Sequence, residues 1–217
     1  MVGESALCDS DIAMGNGAGG DLLSNGPLRV NGFVDMTGSR LLLQGHAPFT
    51  MTNGIFSGEL IAAGNSMIFE DGSYIQFATL DAVVFEGTTT IGPVVQFTGG
   101  LTVVDEMRNG SGGAHAIIQG GLVNHGLIRN SGGYGFTIEL GGDLENNGTI
   151  QNSYISLDGI GEQHLSAGPE GLFDAPVFMP EFNEEGTIIA DTPLRFSDGI
   201  GLGIGSMQLE PGSDLVF

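Results

Sequence analysis

The sequence has no lysine, and its five arginines are set against 26 acidic residues, which gives a net charge of −21. Like charges repel, so such a chain is poorly suited to bind the phosphates of nucleic acids or the anionic lipids of a membrane surface. We therefore expect no nucleic-acid partner. The acidity fits a soluble protein in a salty or calcium-containing exterior, where ions screen the self-repulsion.

Other features that are missing narrow the class of protein further. Cys8 is the only cysteine, so no intrachain disulfide can form, and we assign it no catalytic role. No run of about 18 apolar residues is present, which excludes a helical membrane span. The first residues lack the basic start and apolar centre of a secretory signal, and residues 212–217 stop within a strand pattern. We expect a piece of a longer, secreted chain.

Helical periodicity is also absent. No segment places apolar residues at positions i, i+3, i+4 and i+7, so we expect almost no helix. Short apolar runs of β-branched and aromatic residues instead alternate with Gly, Asn, Asp and Ser, a pattern typical of short strands joined by turns. Glycine makes up 39 of the 217 residues, well above the usual ~7%, which indicates many tight turns.

One repeat organises the chain. Residues 122–130 (LVNHGLIRN) align with residues 144–152 (LENNGTIQN) at an offset of 22, and residues 30–34 align with 52–56 at the same offset. A fixed period of this length predicts a solenoid, in which each coil buries its apolar side against its neighbours. The repeat positions are Asn31, Asn53, Asn124, Gly126, Ile128, Asn130, Asn146, Gly148, Ile150 and Asn152.

Three short strands and their corners fit one such coil at ~3.3 Å per residue. We predict an all-β fold, a single-stranded right-handed parallel β-helix with coils of about 20–22 residues. Stacked asparagines would form an amide ladder, so that Asn146→Ala should destabilise the fold, and replacing Gln163, a polar residue off the ladder, should do so much less. Residues 1–26 are interpreted as a Gly-rich entry segment and 27–217 as the β-helix body. The prolines near 166–181 predict a lateral loop, because proline is barred from a central strand.

The repeats at 144–152 resemble those of bacterial secreted β-helix proteins, the filamentous-haemagglutinin-like adhesins and autotransporter passengers. Residues 154–166 and the coils after them resemble large repeat-rich surface proteins of Bacteroidetes-type bacteria. In those families the β-helix is a stalk or a display surface. The resemblance implies an extracellular or cell-surface location and an adhesive role, with carbohydrate or a host or neighbouring cell surface as the partner.

An enzyme is the first alternative, because parallel β-helices also host polysaccharide lyases, glycoside hydrolases and tail-spike-like depolymerases. A lyase generally needs a Lys or Arg base and basic residues that hold an anionic sugar, and the absence of lysine and five scattered arginines argue against one. For a hydrolase, His125 with Arg129 is a partial match to polygalacturonase-like sites, and Asp143 with Glu145 could form a carboxylate pair. We favour exposed, non-catalytic positions for all of these and assign no catalytic residue.

A calcium-dependent surface module is the second alternative. Residues 16–23 come within one residue of a nonapeptide calcium motif, with Asp21 as a carboxylate ligand, but no second copy follows nine residues later. The histidines at 46, 115, 125 and 164 match no zinc-site spacing. We therefore expect no cofactor and interpret the motif as a flexible loop.

Overall fold

The computed structural model describes these parts of the chain: 6–8, 12–13, 21–44, 48–61, 65–110, 112–131, 134–157, 162–174, 177–179, 187–191, 194–195, 206–209 and 215–216. None of these residues is helical, and 28 strands account for the regular structure. In chain order the first fourteen strands are β1 (Ala6–Cys8), β2 (Ile12–Ala13), β3 (Asp21–Ser24), β4 (Leu28–Val30), β5 (Phe33–Leu43), β6 (Phe49–Met51), β7 (Ile55–Ile61), β8 (Met67–Phe69), β9 (Ser73–Leu80), β10 (Val83–Phe85), β11 (Thr88–Ile91), β12 (Val95–Phe97), β13 (Leu101–Val103) and β14 (Glu106–Asn109). The second fourteen are β15 (Ala114–Ile118), β16 (Leu122–Asn124), β17 (Leu127–Arg129), β18 (Phe136–Leu140), β19 (Leu144–Asn146), β20 (Thr149–Gln151), β21 (Tyr154–Leu157), β22 (Glu162–Ala167), β23 (Leu172–Asp174), β24 (Val177–Met179), β25 (Thr187–Ala190), β26 (Leu194–Arg195), β27 (Ser206–Leu209) and β28 (Leu215–Val216).

The strands form three long faces. Face A is an 11-stranded sheet in the order β1-β4-β6-β8-β10-β13-β16-β19-β22-β25-β27. A 15-stranded sheet supplies the other two faces, which separate after β9: face B continues through β11, β14, β17, β20 and β23, and face C through β12, β15, β18, β21 and β24. The earlier strands β5, β7 and β9 bend across both faces. The pairings are parallel, so each coil runs through faces A, B and C and stacks on the next. The predicted parallel β-solenoid is confirmed.

Inward-facing residues stack in columns that form one continuous core. Phe69 lies over Phe85 on face A, with ring centroids 6.0 Å apart and the rings perpendicular. Phe49, Phe56 and Phe97 extend this aromatic cluster at centroid distances of 5.7–6.2 Å. Edge-to-face pairs of this kind contribute about 0.5–1.5 kcal/mol each beyond the burial of their area. The solenoid is therefore held together coil by coil.

Coil length varies more than the repeat suggested. Asn124 and Asn146 are in register at the predicted offset. Val84, however, pairs with Ile68 after a much shorter stretch of chain, and Thr187 pairs with Glu162 after a longer one. The short coil contains β9, which passes from face B to face C as one strand and needs no separate corner segment. The predicted coil length thus holds for the first two coils and for the central ones, and fails for the shorter coils between them and for the longer one that follows.

Two predicted boundaries are corrected by the strand pairing. Within the supposed entry segment 1–26, β1 pairs with β4, and β2 and β3 pair with β5, so coils begin before residue 27. Within the supposed loop 166–181, β23 pairs with β20 and β24 with β21. Pro169 lies in the turn between β22 and β23, where it interrupts no ladder. Pro176 and Pro180 lie outside the described residues.

Candidate functional site

The central repeat is an internal structural site. Asn124 and Asn146 are fully buried, and the Asn124 Nδ2 donates to Oδ1 of Asn146 at 2.8 Å. Each asparagine also serves the corner that follows it: Oδ1 accepts from the backbone N–H two residues on, at 3.2 Å for Gly126 and 3.3 Å for Gly148. The amides stack along the axis and close the corner between faces A and B, so these groups are satisfied without water.

The two repeat glycines lie where successive coils meet. A Cβ at Gly126 would be 1.9 Å from the carbonyl oxygen of Asp105, and one at Gly148 would be 2.1 Å from the oxygen of Gly126. Both are backbone contacts, which no side-chain rotation can relieve. The N-x-G spacing therefore combines an inward amide with the only residue that fits at the corner.

The other repeat positions differ from these. Ile128 and Ile150 are buried and in register on face B. The remaining four asparagines lie at corners: the side chains of Asn31, Asn53 and Asn152 are exposed, and that of Asn130 is partly buried. In the column of Asn124 and Asn146 the neighbours are Val103 on one side and Ala167 on the other. Within the described residues the buried amide stack at this column has two members.

Two buried polar residues carry no repeat signal in the sequence. Oδ1 of Asn109 accepts from the backbone N–H of Ser131 at 2.6 Å, and its Nδ2 donates to the Tyr134 carbonyl at 3.2 Å. The Nε2 of Gln163 donates to the carbonyls of Leu140 (2.9 Å) and Gly142 (2.8 Å). Gln163 lies off the asparagine ladder, as predicted, but it is buried and its amide fastens the corner between faces C and A.

The residues considered for catalysis lie on the outer surface. His125 is exposed, and its Nδ1 is 3.5 Å from Nδ2 of Asn147. The carboxylates of the suggested pair have different partners: Asp143 Oδ1 accepts from the backbone N–H of His164 at 2.9 Å, and Glu145 Oε1 accepts from Asn147 at 2.6 Å. Arg129 donates instead to Glu106, at 2.7 Å. Each of these residues thus has a hydrogen-bonding partner outside the suggested sets.

Two further histidines, His115 and His164, lie beside acidic side chains. The His115 Nε2 is 3.0 Å from Glu139, and the His164 Nδ1 is 3.0 Å from Asp191. Among the described residues, no group of three or more His, Cys, Asp or Glu side chains is placed to hold a metal ion. His46 and the residues 16–20 of the nonapeptide motif lie outside that part. Asp21 begins β3 and pairs in register with Arg40.

A shallow groove of about 470 Å³ runs along the outside of face A. Its floor includes the small residues Ala82, Gly100 and Gly121, which precede successive strands. Val84, Thr102 and Val123 stand beside them in one outward column. The groove is therefore an apolar strip on an otherwise acidic chain.

An arginine pair lies on the outside of face B. Arg108 and Arg129 are adjacent in register, one coil apart. Arg129 is paired with Glu106, whereas the Arg108 Nε donates to the Thr90 hydroxyl at 3.2 Å. Within the described part of the chain, no carboxylate forms an ion pair with Arg108. Two of the five arginines of the chain thus meet at one place, which their separation in sequence did not indicate.

Aromatic residues that are exposed or half-buried follow the edge between faces B and C. We name this set the aromatic edge; it comprises Tyr74, Phe77, Tyr134 and Tyr154. Tyr154 lies in register with Thr137 and His115 in one outward column of face C, and Phe77 immediately precedes the part of β9 that pairs on this face. The side chains are 63% exposed for Phe77, 64% for Tyr134 and 40% for Tyr154. Sequence patterns missed this set because its members come from three coils, separated by coils of unequal length.

Among the described residues no helix is long and apolar enough to cross a membrane. Comparison of the chain with protein-family models, with curated proteins and with solved structures finds no match. Function is therefore inferred from the solenoid and from the chemistry of its three outer faces.

Proposed function

We propose that this solenoid is a structural segment of an extracellular or cell-surface bacterial protein and presents a rigid, acidic surface in adhesion. The observation that supports it is the register of face A, which runs through eleven parallel strands from β1 to β27. In such an array every coil is fixed by its two neighbours, so the outer faces form a long surface of constant geometry. That property suits a stalk or a display surface.

The acidic side chains themselves contribute to this rigidity. Asp71 Oδ1 accepts from the backbone N–H of Thr88 at 2.6 Å, and Asp105 Oδ2 accepts from that of Gly87 at 2.8 Å. Each bond joins a corner of one coil to the next. Carboxylates that accept backbone N–H groups are charge-assisted acceptors. The acidity thus supports the stack as well as charging its surface.

Adhesion is tested with fluorescent beads that carry the folded chain. The beads are incubated with bacterial and epithelial cells and compared with beads that carry a globular protein of similar net charge. We expect the solenoid beads to be retained more strongly, and retention to be lost after heat denaturation of the coat. Equal retention of both kinds of bead would refute an adhesive role.

The same preparation tests the enzyme alternative. The folded chain is incubated with a panel of neutral and acidic polysaccharides, and reducing ends are measured over time. We expect no release above the boiled control. Sustained release from any polymer would replace the adhesive proposal with a polysaccharide-degrading activity.

A further inference from the structure

All three tyrosines of the chain belong to the aromatic edge. The ring of Tyr74 passes close to the backbone of the next two coils: a Cβ at Gly92 would be 2.9 Å from its Oη, and one at Gly110 would be 3.1 Å from its Cε2. The ring of Tyr154 lies beside Gly135 in the same way, with its Cε2 3.7 Å from an added Cβ. Glycine backbone thus supports rings that lie along the surface.

Phe77 is held at this edge in an unfavourable backbone conformation. Its φ is +47°, in the left-handed region that glycine adopts readily and a bulky residue rarely adopts. The ring obtains little burial in return, since it is 63% exposed. A strained residue with an exposed apolar side chain indicates a role other than stability.

Polar groups flank the rings on both faces. On face B, Tyr74, Thr90 and Arg108 occupy successive positions of one outward column. On face C, His115 and Thr137 precede Tyr154 in its outward column, and His115 is paired with Glu139. Hydroxyl, guanidinium and imidazole groups therefore stand within a few coils of the ring surfaces.

We propose that the aromatic edge binds a neutral, extended carbohydrate chain that lies along the solenoid axis; this rests on the proposed surface function and names its ligand class. The C–H face of a sugar ring packs on an aromatic ring, while its hydroxyls bond to flanking donors and acceptors. Successive coils are ~4.8 Å apart, so the rings from Tyr74 to Tyr154 offer stacking positions over four coil spacings, about 19 Å.

Other ligand classes fit this edge less well. Val94, which precedes β12, is also exposed, but the polar residues His115 and Thr137 lie on the two strands between β12 and Tyr154. The apolar groups therefore do not form the broad contiguous patch typical of a protein interface. A polyanion would meet the field of a chain with net charge −21, and Arg129 is already neutralised by Glu106. A neutral chain needs neither a broad apolar patch nor a positive field.

The proposal is tested by titration calorimetry of the full chain with cellohexaose, xylohexaose, mannohexaose and laminarihexaose, and with hexagalacturonate as the acidic probe. We expect at least one neutral probe to bind and hexagalacturonate to bind more weakly. Tyr154→Ala should weaken binding about tenfold, equivalent to roughly 1.4 kcal/mol. Val104→Ala, which truncates a side chain 40% exposed on another edge, should leave binding unchanged.

Phe77→Gly separates binding from folding. Glycine relieves the backbone strain, so we expect an unchanged or higher melting midpoint together with a several-fold loss of affinity. If all neutral probes fail to bind, or if they bind Phe77→Gly and Tyr154→Ala as tightly as the unchanged chain, the proposed site is wrong. Preferred binding of hexagalacturonate would overturn the neutral ligand class. The bead assay is independent of these outcomes: adhesion without glycan binding would leave the surface role standing.

Discussion

The side-chain amide of Asn124 donates to that of Asn146 at 2.8 Å, from one coil to the next, and neither residue has exposed surface. The same column contains Phe85 and Val103 in the preceding coils, so the two amides continue an apolar stack. Buried amides are tolerated there because each also bonds to the backbone of the adjoining corner. The pair thus determines how the coils close as well as how they stack.

Asn146→Ala should destabilise the fold strongly. The change removes the bonds to Asn124 and to the Leu172 carbonyl and leaves buried groups without partners. We expect the free energy of unfolding in urea to fall by about 2–4 kcal/mol. Asn31→Ala, at an exposed repeat position, should change it by less than about 0.5 kcal/mol. Similar losses for both variants would contradict a structural role for the buried pair.

Gly148→Ala should also destabilise the fold. The new Cβ would lie 2.1 Å from the Gly126 carbonyl oxygen, so two coils must separate. Overpacking of this kind costs about 1–3 kcal/mol or more, measured by chemical or thermal unfolding. Gly112→Ala is the matched control, because no atom lies within 4 Å of its added Cβ. If both variants unfold alike, close approach of the coils is not the reason for glycine at position 148.

Gln163→Ala should destabilise the chain, contrary to the expectation from the sequence. Two carbonyls, those of Leu140 and Gly142, lose the donor that they share. We expect a loss of about 1–3 kcal/mol in the free energy of unfolding. Gln119→Ala removes the same kind of side chain from an exposed position and should be nearly neutral. A neutral Gln163→Ala would restore the original interpretation.

Lowering the pH should weaken the hydrogen bonds that the Asp35 carboxylate accepts from Thr37. Hydrogen bonds from the Thr37 hydroxyl and backbone N–H, opposed by desolvation and aided by Ser57, hold the pKa of Asp35 below its ordinary value of 3.8. A folded-state pKa below the unfolded one contributes stability above pH 3.8 that is lost as the pH falls through the folded value. NMR titration should give a pKa for Asp35 below 3.8, and Thr37→Val should raise it. A value at or above 3.8 would contradict these hydrogen bonds.

Calcium should not be required for folding. The nonapeptide motif has no second copy. Among the described residues, no three or more His, Cys, Asp or Glu side chains are grouped so that they could hold a metal ion. We expect the same melting midpoint in excess chelator and in millimolar calcium, because only a ligand that binds the folded state in preference raises the midpoint. A midpoint that rises with calcium would favour the calcium-dependent module.

The periodic part of the architecture could be predicted from the sequence. The repeat offset places Asn124 next to Asn146 and Gly126 next to Gly148 on successive coils, as the structure does. The pattern could not show which repeat asparagines face inward, because corners reverse the direction of side chains. It also could not show that β9 spans two faces, which shortens its coil and shifts every later register.

Which residues lie next to each other on the outer surface was decided by the tertiary structure. Arg108 and Arg129 come from successive coils, and Phe77 and Tyr154 are separated by coils of different length, so no single period relates them. Whether such residues lie side by side depends on the lengths of all the coils and corners between them. The sequence by itself determined that the coils stack, because the repeated asparagine and aliphatic side chains can be buried only against the equivalent side chains of the neighbouring coils. Only the tertiary structure decided which outer residues meet. The reason is that the length of every corner between two strands shifts the register of the strands that follow.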